Sequence, residues 1–189
     1  SDNSVELFAM GIRNSFGLAV DPVTGYLWDT ENGVETYDEI IQNPEVDAIY
    51  ISTPHTLHGE WSINAAKNGK HILCEKPVTT NYSDTVKVFE ELNKSNVFFL
   101  EAIAYRTHPQ TRFVINKILE GEIGEVDKIE STFGFSHRKL DPQSRLFNPK
   151  LGGGAILDVG CYPVSFSTLI ASQISKIDHN KVEVLNIKK

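Results

Sequence analysis

The rhythm of apolar and polar positions changes near residue 33. Before it, Phe16-Gly17-Leu18-Ala19-Val20 and Tyr26-Leu27-Trp28 flank Asp21-Pro22-Val23-Thr24-Gly25. Proline presets φ there and glycine admits positive φ, so residues 16–30 predict a hairpin. Thr36-Tyr37-Asp38-Glu39 has capping-box spacing and predicts a short helix ending before Pro44. Beyond it, short apolar runs at Asp47–Ser52, Lys70–Cys74 and Asn96–Leu100 predict strands. Residues 57–68 predict a helix stopped by Gly69, and 83–95 a helix with Val86, Phe89 and Leu92 on one face. Strands recurring roughly every 24 residues with helices between them predict right-handed βαβ units and an α/β fold, half of a doubly wound parallel sheet.

From residue 108 the pattern loosens. Residues 109–120 predict an amphipathic helix ended by Gly121. Ile129, Ser131, Phe133 and Phe135 alternate with Lys128, Glu130, Thr132 and Gly134, the period of a strand with one buried face. Residues 154–171 predict a helix in which Pro163 lacks a donor, marking either a kink or a later start. Lys181–Lys189 reads as a strand. The expected division is a hairpin segment (1–33), a half-sheet domain (34–107) and the start of an α+β domain (108–189).

Composition narrows the function. The chain is 40% hydrophobic and 23% charged, which excludes a disordered chain. A net charge of -7 excludes nucleic acid and an anionic membrane surface as expected partners. No apolar run is read as approaching the ~20 residues of a bilayer span, and the opening SDNSVELFAM has no signal-peptide profile. Cys74 and Cys161 are too few for a disulfide scaffold, so a cytoplasmic protein is expected. His55 and His58 stand three apart, a spacing that can bind metal, but no third ligand is apparent and no metal site is expected; His55 reads better as a helix start.

In an open parallel sheet, ligands bind beyond the carboxyl ends of the strands. That rule selects Thr53-Pro54-His55 with His58, then Glu75-Lys76-Pro77, then Glu101 with Tyr105-Arg106. A surface turn is the alternative reading of Glu75-Lys76-Pro77.

The runs VDAIYISTPHTLHGEWSINAAKNGKHILCEKPVTTN, EAIAYRTHPQ and GGGAILDVGCYPVSF resemble the Gfo/Idh/MocA family of NAD(P)-dependent oxidoreductases, and within it the dihydrodiol and xylose dehydrogenase type. The resemblance covers residues 35–189 and implies the second half of a Rossmann domain followed by the start of a substrate domain. It implies hydride transfer between a sugar or cyclic diol hydroxyl and NAD or NADP, with NADP common in the resembling subgroup. By resemblance Lys76 is the lysine beside the reacting hydroxyl, Tyr162 the proton acceptor and Asp158 its helper four residues earlier. An ammonium lowers the pKa of a neighbouring phenol and stabilises a developing alkoxide, as those roles require. Thr53, Pro54 and His58 would line the nicotinamide side, Glu75 and Pro77 would fix the loop around Lys76, and Arg106 would contact cofactor or substrate. The plain alternatives are a core tyrosine at Tyr162 and a hinge at Gly152-Gly153-Gly154, which also admits close backbone approach.

None of the thirteen glycines forms the G-x-G-x-x-G turn that admits a pyrophosphate to a helix N-terminus, and weak NADPH binding is expected for that reason. The family's first two strands would precede Val34, and its later substrate-domain sheet is also missing. Residues 11–33 instead resemble a segment of PQQ-dependent aldose sugar dehydrogenase propellers, with Arg13 near the quinone. One hairpin cannot close a propeller, so PQQ is not expected and a hairpin without function is the plainer reading. The expectation is a fused, truncated chain, with self-association through the substrate domain as the non-catalytic alternative. Placed beside Asp47–Ser52, the hairpin would substitute for the absent half-sheet; placed apart, it would leave the sheet incomplete.

Overall fold

The computed structural model describes residues 15–20, 27–31, 41–44, 46–136 and 140–175. Its strands are β1 (Ser15–Val20), β2 (Leu27–Glu31), β3 (Ala48–Ile51), β4 (His71–Glu75) and β5 (Phe99–Ala102). They form one sheet in the order β2-β1-β3-β4-β5. β3, β4 and β5 run parallel, joined by α1 (His58–Lys67) and α2 (Tyr82–Ser95). This is the expected βαβ series. The third strand begins at Phe99 rather than Asn96, because Asn96 closes α2: it takes a left-handed φ of 52° and returns its N–H to the Leu92 carbonyl.

The expected hairpin forms as the antiparallel pair β1–β2. β1 lies antiparallel along β3, Val20 opposite Ala48 and Gly17 opposite Ile51, so the hairpin does stand beside the first parallel strand. The turn at 21–26, the capping box at 36–39 and the strand expected at 181–189 lie outside the described residues.

Two compact units divide the described residues: those up to Ala102 together with Asp141–Gly154, and Ile103–Leu140 together with those from Ala155 onward. In the first, alternate strand residues Ile49, Ile51, Ile72 and Cys74 meet Ala65, Ala66, Val88 and Leu92 in one core, with Ile41 and Val46 at its end. Each such buried aliphatic side chain contributes about 1.5–3 kcal/mol relative to exposure. α1 ends in a Schellman motif: Gly69 (φ 72°) donates to the Ala66 carbonyl and Lys70 to that of Ala65. The Lys70 side chain is buried and its Nζ donates to the carbonyls of Asn43 (2.5 Å) and Val46 (2.7 Å).

The packing stripe of α2 is rotated from the expected one. Val88 and Leu92, one turn apart, are buried, while Val86 and Phe89 are 36% and 45% exposed. Val88 packs against α1 beside Gly59, where an added Cβ would lie at an ordinary contact distance of 3.6 Å from Val88 Cγ2. Phe89 meets Phe99 edge-to-face, centroids 5.7 Å apart. The reverse face of the sheet carries Tyr50, Leu73 and Leu100 in adjacent register, with Leu73 and Leu100 exposed.

The second unit contains a 3-10 turn at Ala104–Thr107, α3 (Pro109–Leu119), a π-helical turn at Ile156–Gly160 and α4 (Cys161–Ser175). α3 ends in its own Schellman motif at Gly121. The strand expected from Ile129 to Phe135 does not form: those residues carry no ladder, and 131–136 are exposed. Alternation alone does not make a strand, whose backbone needs a neighbouring strand. The described part of this unit offers none, and its described regular elements are helical. Pro163, third in α4, resolves the ambiguity over 154–171. Its ring crowds the carbonyl four residues back, at Val159, and there the helix is widened into the π turn.

One expectation about membranes is corrected. By length and composition the stretch Pro149–Ser175 is long and apolar enough to cross a bilayer, because Gly, Ser and Thr dilute its apolar residues without adding charge. It is not one rod: Gly152 and Gly154 take φ of 74° and 119°. Its α-helical part, Cys161–Ser175, has 15 residues. The π turn Ile156–Gly160, with 5 residues, leads into it without a break.

Candidate functional site

The parallel strands deliver three loops to one end of the sheet. After β3, Ser52-Thr53-Pro54 leads through a 3-10 turn, His55–Leu57, into α1. Pro54 has no N–H to leave unsatisfied at that turn, and its carbonyl accepts from Leu57 N at 2.8 Å. After β4 comes Glu75-Lys76-Pro77, with a cis Lys76–Pro77 bond. After β5 comes Ile103, buried at the start of the second unit.

Side chains lace these loops together. His58 is 1% exposed; its Nε2 lies 2.6 Å from the Thr53 carbonyl and its Nδ1 2.7 Å from that of Pro77. Glu75 Oε1 accepts from the Tyr50 hydroxyl at 2.6 Å. Burial, with that carboxylate, pushes the Tyr50 phenol well above its ordinary value. Glu101 Oε1 accepts from Val78 N at 2.9 Å, anchoring the residue after Pro77. Lys76 is half-buried within this frame.

His55 is held from another side. Its Nδ1 lies 3.1 Å from the Gly152 carbonyl, and its ring meets that of His58 edge-on with centroids 5.7 Å apart. Burial lowers its pKa, the Gly152 carbonyl opposes that shift, and the positive charge of His58, Lys76 and Arg145 lowers it further. The neutral ring is therefore favoured. Gly152 and Gly153 are the close approaches that the glycine run suggested. A Cβ on Gly152 would lie 2.9 Å from His55 Cβ, and one on Gly153 2.8 Å from the backbone N and O of Asn148.

The remaining sequence-selected residues lie in the second unit. Asp158 is buried in the π turn and Tyr162 follows on α4, so the two straddle the junction of the widened turn with regular helix. Tyr162 is half-buried among aromatics: its ring packs edge-on against Phe133 (5.3 Å) and Tyr105 (6.4 Å). Tyr105 in turn meets Phe166 and bonds Ser165 Oγ through its hydroxyl at 2.8 Å; Arg106 Nε donates to the same Oγ at 3.1 Å.

The structure thus brings together Thr53, His58 and Pro77, fixes Glu75 on Tyr50, and sets Arg106 beside Ser165. Tyr50 and Phe133 are the contributors that motif reading missed. Tyr50 had a signal, a hydroxyl in the middle of an otherwise apolar parallel strand. Among the described residues no cluster of three metal-ligating side chains occurs.

A nicotinamide cofactor is tested against these residues by its polar needs. Thr53 Oγ1 is buried without a hydrogen-bond partner among the described residues, at the carboxyl end of the first parallel strand. With half-buried Lys76 in the loop after the next strand, it suits a ring carrying an amide and ribose hydroxyls. The pyrophosphate half is not matched, since the place beside β3 belongs to an antiparallel strand and not to a strand-turn-helix with a glycine cradle.

Comparison with known proteins places the fold in a family of oxidoreductases. The family model for an oxidoreductase family with an NAD-binding Rossmann fold matches residues 16–102, beginning ahead of the seam read near residue 33. A GFO/IDH/MocA C-terminal domain matches 112–180. D-xylose 1-dehydrogenase (NADP(+)) 2 of Haloferax volcanii is 37% identical over 71% of this chain and 41% of that protein. Trans-1,2-dihydrobenzene-1,2-diol dehydrogenase of Xenopus tropicalis is 35% identical over 71% of this chain and 40% of that protein. A 3-ketoreductase from Actinomadura kijaniata, solved with TDP-benzene and NADP, superposes with a TM-score of 0.61 at 32% identity, over 74% of this chain and 41% of that one. The chain spans about two fifths of the length of the curated relatives it matches.

Proposed function

The chain belongs to the GFO/IDH/MocA oxidoreductase family, and from that premise we propose that it carries the reaction end of an NAD(P)-dependent dehydrogenase acting on a ring hydroxyl of a sugar or cyclic diol. The observation that carries this reading is the half-buried Lys76 set at the carboxyl end of the parallel sheet, in a loop anchored by Glu101 and His58. When bound, nicotinamide supplies the hydride acceptor for alcohol oxidation. The Lys76 ammonium then stabilises the alkoxide that develops as the C–H hydride leaves. Tyr162 takes the hydroxyl proton, with Asp158 as its helper. Thr53 and Pro54 face the nicotinamide side, and Arg106 serves the substrate or cofactor.

NADP is the preferred form in this reading, supported by the relatives named for it. A reducing, cytoplasmic setting suits Cys74 and Cys161, which form no disulfide.

The test is Lys76→Ala assayed with NADP and D-xylose or a cyclic trans-diol. A loss of kcat on the order of 100-fold or more is expected for removing a charge that acts on the transition state. Turnover equal to the parent's would remove Lys76 from the chemistry and, with it, this reading of the site.

A further inference from the structure

Both ring nitrogens of His58 face carbonyl oxygens, Thr53 O at 2.6 Å and Pro77 O at 2.7 Å. A carbonyl only accepts, and a neutral imidazole has one N–H to give. In the neutral ring one nitrogen would turn its lone pair toward a carbonyl at contact distance, with no water to intervene, because the side chain is 1% exposed. The doubly protonated ring satisfies both carbonyls, and both distances lie at the short end expected for hydrogen bonds from a charged donor.

We infer that His58 is a positioning residue: as a buried imidazolium it ties the loop after β3, through Thr53, to the Lys76-Pro77 turn after β4, and so sets where Lys76 stands. This inference rests on the role proposed for Lys76 and replaces contact with cofactor as the work of His58. The site gains from such a strut because the two loops belong to different strands and share no ladder beyond Ile51–Cys74. Glu101 holds the far side of the same turn through Val78 N, so the turn is pinned at both ends. Gly59, next in sequence, keeps α1 close to the following segment: a Cβ there would sit 3.1 Å from Thr79 Cγ2. The charged ring faces His55, whose neutral form is favoured, and it lies near the cations Lys76 and Arg145 that surround His55. The two carbonyl dipoles therefore offset a locally positive environment.

The experiment uses the full chain with 15N-labelled histidine, together with the variant His58→Gln. Proton-coupled 15N spectra of the parent are expected to show hydrogen on both His58 ring nitrogens; a single protonated nitrogen overturns the imidazolium. A glutamine amide has its two hydrogens on one nitrogen and cannot span both carbonyls. Amide resonances of Thr53–His55 and of Lys76–Val78 are therefore both expected to shift in His58→Gln. Movement confined to one of the two segments overturns the strut. Where turnover is measurable, kcat is expected to fall on the order of 10- to 100-fold with KM within about twofold, the pattern of a displaced catalytic group. An unchanged kcat with both segments shifted overturns the positioning of Lys76. The spectra decide the strut without turnover, whereas the Lys76→Ala assay decides the reading beneath it.

Discussion

The two units of the chain solve the burial problem to different degrees. In the first, a parallel sheet and two helices enclose Ile49, Ile51, Ile72, Cys74, Val88 and Leu92. In the second, Ile103 and Ile170 are the buried apolar residues among those described, while Phe113, Ile123, Leu140, Ile156 and Val164 stay exposed. Hydrophobic content does not separate them; arrangement does. A βαβ unit returns each helix onto the strands it connects, so a short segment closes its own core. Helices that are not fixed against a sheet close one only where their stripes happen to meet.

Identical deletions on the two sides put that contrast to a direct test. Ile72→Ala should cost about 2–5 kcal/mol in urea unfolding, and Ile123→Ala should stay within about 0.5 kcal/mol. Equal costs would mean that the second unit possesses a core of its own. A smaller effect is expected at the close approach beside His55. Gly153→Ala presses a methyl group onto the Asn148 and Arg145 backbone and should cost about 1–3 kcal/mol, whereas Gly154→Ala, with open space around it, bears only the cost of its φ of 119°. If the two alanines are equally destabilising, the contact at Gly153 is not the cause.

The smallest effect distinguishes the two thiols. Burial, assisted by Glu101 and Glu75, pushes the Cys74 thiol up to about 12. Its folded value is raised, so the native state binds the proton more tightly than the unfolded chain. The resulting stability is fully present below the ordinary thiol value and is lost as pH rises from about 9 toward 12. Alkylation by iodoacetamide at pH 8 should therefore label half-buried Cys161 well before Cys74. Equal labelling rates would contradict the closed core around Cys74.

Much of the first unit was legible because its local and long-range demands coincide. Gly69 ends α1 where the motif needs a left-handed residue, and Ile49, Ile51, Ile72 and Cys74 alternate as a sheet with one packed face requires. Lys76 was visible as a charge at a strand end. The missed features depend on partners remote in sequence. Nothing near Val88 announces that it, rather than Val86, is buried, since that depends on how α2 packs on α1 and the strands, segments remote in sequence. The alternation at Ile129–Phe135 was real, but a strand is a property of two segments. His58 stands in the quoted motif, yet the Thr53 and Pro77 carbonyls that its ring meets are revealed by no motif spacing.

The hairpin on the edge of β3 has a consequence for the handedness of the fold. Each right-handed crossover from one parallel strand to the next lays its helix on a fixed side, so β3-α1-β4 and β4-α2-β5 place both helices on the same face. A parallel neighbour on the other edge of β3 would arrive with a crossover of its own, and in a doubly wound sheet the reversal of direction puts that helix on the opposite side. An antiparallel hairpin turns back without a crossover and contributes no such cover. Leu73 and Leu100 are exposed on the reverse face in keeping with that difference. The chirality of a connection, and not the composition of the strands, decides which side of this sheet is left for something else to clothe.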